Sequence, residues 1–224
     1  MINTCCRGVD IHTHVVPENF PAYQGRVSGV PWPAMSPAHA CHRHVMISGK
    51  VFRTVPDTCW SGPGRIIDMD LMGIERQVLS PMPELLGYWL EPQDGAALAR
   101  HLNVQIAEMV QRHPDRFSGL GAVPLQDMAL AIRELEFIVK DLGLAGVEMG
   151  TNVNGMPIGS PEFEPFFAAA AEIGAAIFVH PLRPTGMDRL VGPAALEQIL
   201  AFPCETGLAA TSLLTGGILA RHPS

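Results

Sequence analysis

Two histidines lie two residues apart near the amino terminus, in the stretch GVDIHTHVVP that begins at Gly8. Alternate side chains of a β-strand point to the same face, so we expect His12 and His14 to share one face with Asp10. Two imidazoles at this spacing can approach one metal ion, and a catalytic zinc ion usually takes three protein ligands plus water. The competing interpretation is a pair of hydrogen-bonded core histidines, and the placement of both rings on one face favours the metal site.

A third ligand is predicted at His180, which ends the apolar run AAIFVHP. Enzymes built on barrels of parallel strands keep their chemistry at the carboxyl ends of the strands, where we expect all three histidines. Glu148, in GVEMGT, has three interpretations: a further ligand, an acceptor for a histidine N–H, or a paired core group.

A rival metal site is the group His39, Cys41, His42 and His44 in SPAHACHRHV. Its spacing does not match that of zinc fingers or zinc knuckles, and no second cluster completes four ligands. We therefore expect a mobile loop that faces the active site.

Substrate-binding candidates follow from the residues near this predicted pocket. An arginine above a metal site can hold a carboxylate with two parallel hydrogen bonds, and Arg53 and Arg65 bracket the stretch TVPDTCWSGPG. On the sequence alone an ordinary surface arginine is the simpler interpretation. Tyr88 and Trp89 either line the mouth of a pocket or pack beneath the region after the first strand.

The elements that must position these residues are read from hydrophobic runs. Five apolar runs have the continuous character of parallel strands covered on both faces. Helical spacing follows most of them, which indicates βαβ units and a parallel sheet. The runs cover residues 8–16, 76–83, 117–125, 145–152 and 175–181. Ser160 is expected to cap the helix that begins SPEFEPFF, and two further helical patterns cover residues 194–202 and 206–221.

The chain is expected to form a single domain, residues 1–224, with residues 17–63 as an insertion or lid. This segment is rich in Pro, His and Ser and is too long for an ordinary connection. Its last part, GKVFRTV, could form a small hairpin strand.

Composition narrows the class of protein. A net charge of −7 without a basic run argues against a nucleic-acid partner. The five cysteines show no CxxC spacing, which favours a reducing, cytoplasmic compartment. The longest uncharged apolar segment is too short to span a bilayer, so no membrane association is expected. Walker A, GxGxxG and GxSxG motifs are absent, which argues against nucleotide enzymes and serine hydrolases.

Seven blocks occur in a specific order: DIHTHVVP, GKVFRTVPDTCW, RIIDMDLMGIERQVLSPMP, YWLEPQD, RFSGLGAVPLQD, GLAGVEMGTNVNG and FVHP. Together they resemble the aminocarboxymuconate-semialdehyde decarboxylase family of the amidohydrolase superfamily, from about Val9 onward. That family consists of metal-dependent (β/α)8 barrels that remove a carboxyl group without oxidation.

The resemblance implies that His12, His14 and His180 bind Zn²⁺ or another divalent metal. It implies that Arg53 binds a substrate carboxylate, and that the protein forms a homodimer. Family members usually carry Trp where this chain has Leu182, which leaves the exact substrate open. They also continue to a sixth strand with a catalytic histidine and to a later Asp ligand, so the acid/base histidine is expected beyond Ser224.

The expected fold is therefore α/β, of the (β/α)8 TIM-barrel type, incomplete in this chain, with about five βα units and an insertion after the first strand. The first and fifth strands should leave open apolar edges. Three functions stay open. They are a decarboxylase of a small unsaturated or aromatic carboxylic acid, a metal-dependent hydrolase of amide, ester or lactone bonds, and a catalytically inactive fragment.

Overall fold

The computed structural model describes residues 8–25 and 27–223. Strands and helices alternate as the hydrophobic runs predict. The described strands are β1 (Gly8–Val15), β2 (Ala34–Pro37), β3 (His42–Ile47), β4 (Lys50–Pro56), β5 (Ile74–Pro81), β6 (Phe117–Gly121), β7 (Gly146–Gly150), β8 (Asn152–Val153), β9 (Met156–Pro157) and β10 (Ala176–His180). The helices are α1 (Gly62–Met72), α2 (Pro92–Arg112), α3 (Met128–Glu136), α4 (Glu164–Ile173), α5 (Phe202–Thr215) and α6 (Ile218–Arg221).

The central sheet is parallel and contains five strands in the order β1-β5-β6-β7-β10. Its two edge strands are β1 and β10, yet Nε2 of His12 on β1 lies 3.1 Å from Nε2 of His180 on β10. In a flat sheet with strands ~4.8 Å apart, the edges would be separated by about 19 Å. The sheet is therefore curled like part of a barrel, which confirms the expected incomplete (β/α)8 class.

The predicted third strand ends earlier than the apolar run suggested. The run extends to Leu125, but β6 ends at Gly121. The side chain of Asn103 on α2 accepts from the N–H of Ala122 at 2.7 Å and donates to its carbonyl at 2.9 Å. The backbone of Ala122 is thereby paired with a side chain instead of a neighbouring strand, and Pro124 lacks an N–H donor.

The expectation that the parallel strands are covered on both faces holds for β7 and is wrong for β1. Every residue of β7 is buried. In β1, Val9 and Ile11 are 58% and 57% exposed, because β1 has one neighbour, β5, in the described sheet. The open apolar edge that we expected at the first strand is therefore present.

Residues 34–56 form an antiparallel sheet in the order β2-β3-β4. The expected hairpin strand is β4. Ser48 and Gly49 form the two-residue turn between β3 and β4, and both have positive φ, as the tightest hairpin turns require. Val45 and Val55 are buried and join this sheet to the hydrophobic core.

Helical spacing located α2 and α3, but the expectations for the later helices need correction. Ser160 makes no capping hydrogen bond with its side chain, because a 3-10 turn, Pro161–Phe163, lies between it and α4. The boundaries of the last helices also differ from the predicted ranges, residues 194–202 and 206–221. α5 begins at Phe202, with Pro203 in its first turn, and a left-handed Gly217 separates it from α6.

Three cysteines of the described residues, Cys41, Cys59 and Cys204, are free thiols, whereas Cys5 and Cys6 lie outside the described residues. Within residues 8–25 and 27–223, no helix has both the length and the apolar character needed to cross a bilayer.

Candidate metal centre

Three imidazoles meet at the carboxyl ends of the two edge strands. His12 and His14 lie near the end of β1, and His180 is the last residue of β10. Each pair of ring centroids is 5.0 Å apart, and one ring nitrogen from each residue lies within 4.8 Å of the other two. In the described chain this is the one group of three or more His, Cys, Asp or Glu residues whose ligand atoms converge in this way.

The hydrogen bonds at two of these rings fix which nitrogen is free. Nδ1 of His14 lies 3.1 Å from the carbonyl oxygen of Pro81, and Nδ1 of His180 lies 2.9 Å from the carbonyl oxygen of Pro181. A carbonyl oxygen can only accept, so each Nδ1 carries the hydrogen and each Nε2 keeps its lone pair.

The surroundings also favour uncharged rings. Burial, followed by the charges of His180 and His12, lowers the pKa of His14 to about 4. Burial lowers the pKa of His180 as well. Neutral imidazoles with free Nε2 atoms are the donors that a divalent transition-metal ion requires, and His14 and His180 provide two of them. His12 brings a third ring nitrogen within reach of the same point, so the set fits such an ion.

Asp10 does not join the histidines, contrary to the expectation that alternation would place all three on one face. The pairing of β1 with β5 is irregular between Asp10 and Thr13, which shifts the phase of the strand. The carboxylate of Asp10 accepts from Nε2 of Gln77 at 3.3 Å, and the amide oxygen of Gln77 accepts from Arg65 of α1 at 3.3 Å.

Glu148 on β7 lies beside His14 without a direct hydrogen bond to it, and it is not in the converging group. Its Oε2 accepts from the hydroxyl of Ser80 at 2.6 Å and lies 3.7 Å from Nδ1 of His14. Glu148 is fully buried, and its Oε1 has no hydrogen-bond partner in the described structure. Burial raises the pKa of this carboxyl to about 8, against a smaller lowering by the Ser80 hydrogen bond.

The histidines line a cavity of about 760 Å³ together with Arg53, Glu84 and Phe202. The Arg53 side chain reaches it from β4, in the antiparallel sheet, and is exposed. The structure therefore brings the predicted carboxylate-binding arginine to the three predicted metal ligands.

Trp89, the second substrate-binding candidate, does not line this cavity. It lines a neighbouring cavity of about 370 Å³ that shares Glu84, Pro181 and Phe202 with the first. The guanidinium carbon of Arg183 lies 3.6 Å from the centre of the Trp89 ring. Tyr88 beside it is buried and accepts from the backbone N–H of Gly150, which is a packing role.

The rival cluster does not converge. His39 and His42 stack with ring centroids 4.2 Å apart, while Nδ1 of His44 lies 2.8 Å from the hydroxyl of Thr54 on β4. Cys41 is exposed in a turn with positive φ.

Ser80, Pro81 and Glu84 were not singled out from the sequence, although all three lie beside the histidines. The available signal was their position in LSPMPE, at the carboxyl end of the second predicted parallel strand. That rim is where barrel enzymes place their functional groups.

Comparison with known proteins places this geometry in a family. The 2-amino-3-carboxymuconate-6-semialdehyde decarboxylase of Dictyostelium discoideum is 37% identical over 216 residues, which are 96% of this chain and 60% of that protein. A dihydroxybenzoic acid decarboxylase structure from Polaromonas sp. JS666, with bound manganese and the inhibitor 2-nitroresorcinol, is 30% identical with a TM-score of 0.65. That match covers 71% of this chain and 51% of the other.

A third match concerns the fold alone. The apo IDCase of Metarhizium anisopliae has a TM-score of 0.75 at 23% identity and covers 96% of this chain and 62% of that chain. The chain thus spans about half to three fifths of the length of these relatives. The amidohydrolase family model matches residues 9–224, which covers the histidines and nearly the whole sheet. The chain therefore belongs to the amidohydrolase family.

Proposed function

We propose that this chain forms the metal-binding part of a non-oxidative decarboxylase that acts on a small unsaturated or aromatic carboxylic acid. The observation that carries the proposal is the convergence of three imidazoles from β1 and β10 in a chain 37% identical to such a decarboxylase.

The ligands in this proposal are His12, His14 and His180, and the ion is zinc, manganese or another divalent metal. Imidazole suits several of these ions, and the Polaromonas relative holds manganese. When bound, the ion supplies positive charge that polarises an oxygen of the substrate. We assign no acid/base residue among the described residues, and that histidine is expected, from the resemblance alone, on a later strand.

Arg53 is proposed to bind a carboxylate of the substrate. It lines the same cavity as the histidines, and its side chain makes no hydrogen bond or ion pair with another described residue, so its guanidinium N–H donors are available. Trp89 is proposed to contact the part of the substrate that extends into the neighbouring cavity.

The test measures carbon dioxide release by the purified, metal-loaded protein from 2-amino-3-carboxymuconate-6-semialdehyde and from dihydroxybenzoic acid. The proposal expects this chain to bind the metal, with the His12→Ala substitution abolishing binding, and it expects metal-dependent release where the acid/base histidine of a later strand is also present. Ring opening of lactones without carbon dioxide release would instead support the hydrolase alternative. Failure to bind a divalent metal and to turn over either class would leave the non-catalytic alternative.

A further inference from the structure

Ser80 connects the fully buried Glu148 to the proposed metal ligand His14. Its Oγ lies 2.6 Å from Oε2 of Glu148, 3.0 Å from the carbonyl oxygen of Thr13 and 3.3 Å from Nδ1 of His14. A hydroxyl has one hydrogen and two lone pairs. The distances to these three partners therefore decide whether the hydroxyl donates its hydrogen to the imidazole or accepts one from it.

In either protonation state of Glu148, the Ser80 hydrogen is used away from His14. An ionised Glu148 accepts that hydrogen across the 2.6 Å contact. A protonated Glu148 donates its own hydrogen to Oγ, and Ser80 then donates to the carbonyl oxygen of Thr13. Both patterns leave a lone pair of Oγ directed at Nδ1 of His14.

The consequence for the imidazole is a fixed tautomer. A Ser80 hydroxyl free to rotate could donate to Nδ1, which would move the ring hydrogen to Nε2 and remove the lone pair that a metal needs. With Oγ held as an acceptor, Nδ1 keeps its hydrogen, shared between Oγ and the carbonyl oxygen of Pro81.

We propose that Ser80 and Glu148 are positioning residues that hold His14 in the Nδ1–H tautomer with Nε2 available, and thereby set the affinity for the divalent metal. The inference rests on the proposed function in that His14 is there assigned as a ligand. Partners of metal-bound histidines typically change metal affinity by about 10–100-fold.

The first measurement needs no metal. In ¹⁵N-labelled, metal-free protein, the ring nitrogen shifts of His14 report the tautomer. The wild type is expected to show the Nδ1–H form, and Glu148→Leu, in which the freed Ser80 hydroxyl can donate to Nδ1, a mixture with the Nε2–H form. Ser80→Ala removes that donor and keeps the carbonyl oxygen of Pro81, so it is expected to keep the Nδ1–H form. An unchanged tautomer in Glu148→Leu would overturn the proposal.

The second measurement is Zn²⁺ and Mn²⁺ affinity by calorimetry, together with the midpoint of thermal unfolding. Glu148→Leu is expected to weaken binding about tenfold without lowering the unfolding midpoint, because it removes the buried Oε1 that has no partner. Glu148→Gln, which keeps an acceptor for Ser80, is expected to restore the affinity to within about threefold. Loss of affinity only in step with loss of folding would show a merely structural role.

A matched control is Thr13→Val, next to His14 on β1. The Thr13 hydroxyl donates to the carbonyl oxygen of Val78 and not to the histidine. The Thr13→Val variant is expected to leave the His14 tautomer and the metal affinity unchanged. A loss of metal affinity equal to that of Glu148→Leu would overturn the proposal. If the wild type binds no divalent metal, the proposed function fails, while the tautomer measurement still tests the positioning.

Discussion

The three proposed ligands depend on one another, because each contributes one of three converging ring nitrogens. We expect His180→Ala to lower the affinity for Zn²⁺ or Mn²⁺ by at least about 100-fold, since two imidazoles do not complete the usual set of three protein ligands. Calorimetry and elemental analysis of the purified protein would measure this. His42→Ala is the matched control, because His42 belongs to the rival cluster, and an equal loss there would move the metal site to that cluster.

Arg53 offers a second prediction at the residue scale. Its guanidinium lines the histidine cavity and is the group there that we propose binds a carboxylate of the substrate. Hydrogen bonds to charged groups contribute about 1.5–3 kcal/mol, so we expect Arg53→Ala to weaken the binding of dihydroxybenzoic acid to the metal-loaded protein by roughly 10- to 100-fold. Arg133→Ala, an exposed arginine on α3, should leave the dissociation constant unchanged. Equal binding by the Arg53→Ala protein would contradict the assignment.

Individual residues were predicted well where a strong local pattern existed. The HxH pair and the histidine at the end of a later strand identified the converging imidazoles. Asp10 was misplaced because the irregular pairing between Asp10 and Thr13 arises from contacts with β5, which the sequence of β1 does not contain. Ser80 was missed because a serine gives no distinctive signal until its neighbours Glu148 and His14, far away in sequence, are known.

At the scale of elements, α2 and α3 are joined to β6 by a buried polar network. Nδ2 of Asn103 donates to Glu134 at 2.8 Å, and Asn103 pairs with both backbone groups of Ala122. Asn103→Ala would leave these buried groups unpaired, so we expect it to lower the free energy of unfolding by about 2–4 kcal/mol. Urea unfolding would measure this, with the exposed Arg112→Ala on the same helix expected to change it by less than about 0.5 kcal/mol.

The contact between α4 and α6 should weaken in acid. Hydrogen bonds from Arg221 and then His222 lower the pKa of Glu164 to about 2 from an ordinary value of 4.5. The folded-state pKa of this carboxyl is depressed, so its stabilisation is complete above about pH 4.5 and is lost as the pH falls toward 2. Amide hydrogen exchange of α6, measured relative to α2, should therefore increase in that range.

Glu164→Gln tests the cause of this acid sensitivity. The variant should exchange the α6 amides faster at neutral pH and should lose most of the additional increase at low pH. If the exchange of the α6 amides in the wild type does not increase in acid, Glu164 does not have this role.

The elements themselves were predictable to different degrees. The 3.6-residue period located α2 and α3, because their apolar faces are continuous and buried. The limits of α5 and α6 were not predicted, since Gly217 divides one apolar stretch by adopting a left-handed conformation that composition does not reveal. The exposure of β1 depends on which strands lie beside it, and an apolar run alone does not distinguish an edge strand from a central one.

At the scale of the whole molecule, the metal site exists because the sheet curls. His12 and His180 are separated by 168 residues and lie on opposite edges of the sheet. Alternating strands and helices predicted a parallel sheet, and the family resemblance predicted the barrel. The degree of curl, which sets the distance between the imidazoles, results from the packing of all five strands and could not be read from any one of them.

The same curl leaves the outer edge of β1 without a neighbouring strand in the described structure, with Val9 and Ile11 exposed on it. Unpaired backbone groups beside apolar side chains favour pairing with another chain, and we expect the purified chain to associate as its concentration rises. A lysine on an edge strand opposes such pairing, so Val9→Lys should shift the sedimentation profile toward the monomer.

Val191→Lys is the matched control, because Val191 is 90% exposed but lies outside the strands. If both substitutions reduce association equally, added charge and not the β1 edge is responsible. If neither does, copies of this chain associate through another surface.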